Sequence, residues 1–282
     1  MKIIPREAFY CRRRLIDVEF HDGIERVEHR AFNNCTSLMG SIKLLGVKII
    51  EEGAFTLVLA EVQFGVMLET LGSCAFMNCD SLSNVTMPSG RSIGFSAFGI
   101  CKQLTDLDLP EGVETIQEIA FYNCNSLGRI AIPLKSDIEG NAFIGCTNLT
   151  TMDLVGGIHR TVASLHLEEW KNEMKGEINR INEILPNTTS SQKTAEIQEW
   201  MRAVISRLDH YKAEHNALLK EATTLLELAL WKAKIEENEG DSLGDVMAKR
   251  ATIDVKSKRS ERRITSGANI VIKNALPFLE LN

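Results

Sequence analysis

No stretch of this 282-residue chain approaches the roughly 18 consecutive apolar residues of a membrane-spanning helix, so no span is expected. Charges interrupt every apolar pair of the opening MKIIPREAFYCRRRL, which leaves no apolar core for a secretory signal peptide. Seven Cys without such a signal point to reduced thiols and an intracellular, cytoplasmic setting. There is no phosphate-binding glycine loop, no G-x-S-x-G and no H-E-x-x-H. His21, His29, His159 and His166 lack neighbours that suggest a triad or metal shell, and His210 with Glu214 reads as an ordinary surface pair on a helix. No enzyme, metal or cofactor is expected. With 44% hydrophobic and 25% charged residues, disorder is excluded as well.

What is present divides at about residue 156. Residues 1–155 hold 13 Lys and Arg against 19 Asp and Glu, whereas 156–282 hold 19 of each. Every Cys precedes residue 147 and every Trp follows residue 169. In the first half, Ala-Phe pairs begin at 8, 31, 54, 75, 97, 120 and 142, spacings of 21 to 23 residues that mark a solenoid. An apolar residue stands four positions before each Ala, from Ile4 and Val27 to Ile116 and Ile138. After the pair the unit continues x-x-C-x-x-L and then alternates, as in Leu104-Thr-Asp-Leu107-Asp-Leu109, which turns Leu107 and Leu109 to one side of a strand and Asp106 and Asp108 to the other. Pro88 and Pro110 end such strands.

One coil cannot bury its own apolar edge, but stacked coils with strands in parallel can. The recurring Cys lie about a coil apart and lack His partners, which does not suit a metal; they read as small core residues. The A-F-x-x-C-x-x-L-x-x-V-x-L-P unit resembles the BspA-type (Treponema-type) leucine-rich repeat of bacterial surface proteins, expanded in some protists and microalgae. The resemblance covers roughly residues 3–155 and implies a β-rich leucine-rich-repeat solenoid with no catalytic activity. The unit at Ala54 lacks its Cys, the first reads AFYC, and Ser41 stands at an apolar position, so those coils are expected to be irregular. The stretches EATTLLELALWKAK and SGANIVIKNALPFLEL are similar to the C-terminal region attached to such repeats in microalgal relatives.

After Gly156-Gly157, apolar residues at Leu167, Trp170, Met174, Ile178, Ile181 and Leu185 predict a helix over about 163–185, stopped by Pro186. A second predicted helix, about 191–238, carries a heptad seam from Ile197 through Met201, Val204, Leu208, Tyr211, His215, Leu218, Ala222 and Leu225 to Ala229. The first helix covers only about half of it. The rest must pack elsewhere, bend near Thr223-Thr224, or join a second copy as a coiled coil. Residues 1–156 thus form the solenoid, 157–239 two long amphipathic helices, and 240–282 a linker, a basic segment (249–263) and an apolar end. The basic segment reads as a solvated strap or a nuclear-localisation patch; without interleaved aromatics, nucleic-acid binding is not expected.

The expected function is a non-enzymatic protein-interaction scaffold that binds through the strand face. The outward positions are Asp17, Glu19, Lys43, Glu61, Gln63, Asn84, Thr86, Asp106, Asp108, Arg129, Ala131, Thr151 and Asp153, predominantly acidic and suited to a basic protein partner. The family resemblance implies an alternative, a surface adhesin whose leader is missing from this chain.

Overall fold

The computed structural model describes residues 2–38, 40–56, 59–156, 158–165 and 168–244, with side chains described as far as Lys234 except that of His159. Each coil contributes a two-residue strand ahead of its Ala-Phe pair and, in most coils, a longer strand after it. In chain order these are β1 (Ile3–Ile4), β2 (Arg26–Val27), β3 (Ser41–Leu44), β4 (Ile49–Ile50), β5 (Glu61–Phe64), β6 (Thr70–Leu71) and β7 (Asn84–Thr86). They continue with β8 (Ser92–Ile93), β9 (Asp106–Asp108), β10 (Thr115–Ile116), β11 (Arg129–Pro133), β12 (Asp137–Ile138) and β13 (Thr151–Val155). The short strands form one seven-stranded sheet, β1-β2-β4-β6-β8-β10-β12, and the long ones two three-stranded sheets, β3-β5-β7 and β9-β11-β13. All pairings are parallel, one coil to the next, as in Arg129 opposite Asp106 and Thr151.

The Ala-Phe pair sets the stacking. The residue before each Ala has positive φ, from 48° at Ile119 to 63° at Gly53, which turns the chain so that Ala and Phe point inward. Each Phe N–H donates to the Ala carbonyl of the next coil at 2.8–2.9 Å, from Phe9 to Ala31 through Phe121 to Ala142. The seven rings stack in one column with centroids 4.9–5.8 Å apart. Beside them Cys35, Cys79, Cys101, Cys124 and Cys146 are buried, and each thiol donates to the carbonyl of a Phe in the preceding coil, 2.9 Å for Cys124 to Phe98. The Cys therefore fill the core and also bond coil to coil. Cys11 and Cys74 are half-buried and lie off this column.

Ser41 does not disturb its coil. That coil holds one residue more between Leu38 and its strand, so Ile42 and Leu44 take the inward positions while Ser41 and Lys43 face out. The missing Cys of the Ala54 unit falls at residues 57–58, outside the described residues.

Helices α1 (Ile158–Ala163), α2 (Glu168–Ile184) and α3 (Lys193–Gly244) follow, with a 3-10 turn at Leu185–Asn187. By contacts, residues 1–217 form one compact unit, and the described residues from 218 on belong to another. The first unit includes the open end of the last coil, where backbone groups have no further coil to meet. Side chains of α2 and α3 take its place. Phe143 N–H donates to Thr194 Oγ1 at 3.0 Å, Met152 N–H to Asn182 Oδ1 at 2.7 Å, and Gln198 Nε2 to the Ile138 carbonyl at 2.6 Å. Buried Lys193 donates to the carbonyls of Thr147 and Leu149.

The first part of the heptad seam (Ile197, Met201, Val204, Leu208 and Tyr211) is buried here within the chain, so that part is not open to a second copy. In the second unit, α3 runs on through Asn238–Gly244, where Gly240 predicts a linker. A single helical Gly costs about 1 kcal/mol relative to Ala, which is too little to stop a long helix. There, residues 218–234 are exposed except half-buried Leu219. The segment 249–263 and the apolar end at 264–282 lie outside the described residues. Among the described residues no helix is long and apolar enough to cross a membrane.

Candidate interaction face

The long strands alternate as their sequences require, with inward residues such as Val62, Leu107 and Met152 buried and outward ones exposed or half-exposed. The outward positions fall into three groups. Asp17 and Glu19 are exposed but lie in no strand, and Val18 and Phe20 between and beside them are only partly buried. On β3-β5-β7, Lys43 stands opposite Gln63, and Gln63 opposite Thr86; Glu61 accepts a hydrogen bond from Asn84 at 2.9 Å. This part carries one Lys and one Glu and is nearly neutral.

The third group, on β9-β11-β13, is different. Arg129 sits between three carboxylates, with Nε 2.7 Å from Asp153 and Nη1 2.8 Å from both Asp106 and Asp108. Burial works against its charge, but the bonds to Asp108 and Asp153 and the charge of Asp106 outweigh this and raise its pKa. Three carboxylates against one guanidinium leave two negative charges, with the Asp side chains 46–67% exposed. Ala131, opposite Asp108 and Asp153, is buried despite its outward register, and Thr151 is half-buried. The acidity is thus concentrated on three adjacent strands about 4.8 Å apart, and is not spread along the whole solenoid.

Two arrangements were missed in the single-unit reading. Along the seven-stranded sheet, Lys2, Glu25, Lys48, Glu69, Arg91 and Glu114 occupy the same place in six successive coils and alternate in sign. Glu25 bridges Lys2 at 2.7 Å and Lys48 at 3.2 Å, and the hydrogen bond from Lys2 leads the causes that lower its pKa. Superposing the units would have exposed this column, which reads as a register device. The second is a groove of about 690 Å³ between α2 and α3, lined by Glu169, Trp170, Glu173, Glu177, Arg207 and Tyr211 among others. Trp170 stacks on Tyr211 with centroids 5.1 Å apart, Glu173 accepts from the Tyr211 hydroxyl, and Arg207 lies 3.4 Å from Glu173 and 3.9 Å from Glu177. Arg207 answers two of the groove's four glutamates, and Glu169 and Glu214 lie beyond its pairs. Among the described residues, no group of three or more His, Cys, Asp or Glu is placed to hold a metal ion.

The BspA type leucine rich repeat region matches residues 2–88 and 39–150, in six copies. The chain therefore belongs to the BspA-type leucine-rich repeat family. Among solved structures it is similar to a leucine rich cell surface protein of Faecalibacterium prausnitzii, at 24% identity and a TM-score of 0.41, over 48% of this chain and 52% of that one. It is also similar to a leucine rich repeat protein of T. pallidum, at 22% identity and 0.39, over 59% and 77%. A third likeness is a leucine-rich repeat protein of Bacteroides ovatus, at 19% and 0.33, over 54% and 64%. The chain thus spans about half the length of the Faecalibacterium protein. No protein of curated function matches.

Proposed function

We propose that this protein is a non-enzymatic scaffold whose β9-β11-β13 face captures a basic protein segment. The observation that carries the reading is the cluster of Asp106, Asp108 and Asp153 around Arg129, exposed on a rigid ladder and left with an excess of two negative charges. A partner's Lys or Arg would meet carboxylates held at fixed spacing, which steers association more than it adds raw affinity. The groove between α2 and α3 is the second candidate: Arg207 pairs with Glu173 and Glu177 and leaves Glu169 and Glu214 on its walls. The buried, reduced thiol column supports a reducing compartment over the surface-adhesin reading. The likeness of the C-terminal half to that of microalgal repeat proteins belongs to the same reading.

A photo-crosslinking residue at Thr86, which is exposed on β7 beside the cluster, tests the proposal in native cell extract, with a second probe at exposed Glu69 on the short-strand side as control. Specific adducts from position 86 and none from 69 are expected. Adducts from 69 alone, or equally from both, would place binding elsewhere.

A further inference from the structure

In the second unit, α3 carries a stripe that no described residue covers. At 100° per residue, Leu218, Leu219, Ala222, Leu225, Leu226 and Ala229 fall within an arc of about 120°, and no polar residue enters it. Leu218 is 51% exposed, Leu225 60% and Leu226 40%. A run of exposed Leu on a soluble helix marks a contact surface. The helix needs one, since isolated helices draw little stability from their own backbone.

We infer that residues 218–233 pair with the same segment of a second copy of this chain, as a two-stranded coiled coil. The stripe continues, in unbroken 3-4 spacing, the seam of Ile197, Met201, Val204, Leu208 and Tyr211. That earlier part is buried, and α2 begins at Glu168, within one turn of the Trp170 that stacks on Tyr211. The buried part of the seam ends with His215 and the pattern does not. The stripe alternates Leu218 and Leu225 with Ala222 and Ala229, so the small residues let two backbones approach while the Leu side chains interlock. Along one border stand Glu221 and Lys232, one charge of each sign, so that border does not force identical copies apart. A second copy presents the same period and the same register, which an isologous interface requires. This inference is independent of the strand-face reading.

The experiment is sedimentation velocity of the whole chain across a wide concentration range, for wild type, Leu218→Asp/Leu225→Asp and Lys220→Glu/Glu227→Lys. The expected result is a concentration-dependent dimer for the wild type and for the charge pair, which lies outside the stripe, and a monomer for the Asp pair. Because Leu218 and Leu225 are exposed in the single chain, the Asp pair should match the wild-type melting curve at concentrations where the wild type is monomeric. Hydrogen exchange of 218–234 in the wild type gives a second readout, and should slow as concentration rises. A wild-type monomer throughout, a dimer that survives the Asp pair, or exchange independent of concentration would overturn the inference.

Discussion

At the scale of single residues, the repeat Cys shows how a small side chain serves two needs. Cys124 is fully buried and its thiol donates to the Phe98 carbonyl at 2.9 Å. A Ser hydroxyl can make the same bond, while Ala cannot and leaves a void. Cys124→Ser should therefore cost about 1 kcal/mol, and Cys124→Ala about 1–3 kcal/mol, by chemical denaturation. The opposite order would mean that the bond contributes nothing. Burial also pushes the Cys101 thiol well up, and that of Cys35 upward. Unfolded, such thiols titrate near about 8.5, so the unfolded chain releases protons above that pH while the folded one holds them. Stability should be fully present below about pH 8.5 and fall as pH rises beyond it. Melting temperatures at rising alkaline pH, for wild type and Cys101→Ala, check this; the variant should lose less.

Among the elements, the helices after the repeat close its open edge, and this was the least legible part of the chain. The solenoid announces itself because seven units repeat one pattern, and the alternation of Leu107 and Leu109 with Asp106 and Asp108 assigns their sides unaided. Nothing in the sequence marks Thr194, Asn182 or Lys193 as caps, because their role depends on where the last coil ends in space. The Asp cluster was legible residue by residue, but the reach of Arg129 to both flanking strands was not, since it depends on the pairing of Arg129 with Asp106 and of Ala131 with Asp108 and Asp153. Thr194 is 3% exposed. Thr194→Val keeps its shape and strands the Phe143 N–H, which should cost about 1–3 kcal/mol. Hydrogen exchange should quicken first in β12 and β13, since a solenoid frays from an uncapped end. Loss spread evenly over all coils would refute the capping role.

For the whole molecule, the account rests on the charge of one face. Removing acids and removing the Arg should act in opposite senses. Asp106→Asn/Asp108→Asn takes away the excess negative charge, whereas Arg129→Gln leaves three carboxylates unanswered. Neither change should alter folding much, because exposed pairs contribute about 0–1 kcal/mol each. The most direct test is recovery of the crosslinked partner from native extract at low and moderate salt, with thermal melting as control. The account predicts weaker recovery with the Asn pair, stronger recovery at low salt with Arg129→Gln, and a steeper salt dependence in the latter. Equal recovery by all three proteins, with intact melts, would contradict it.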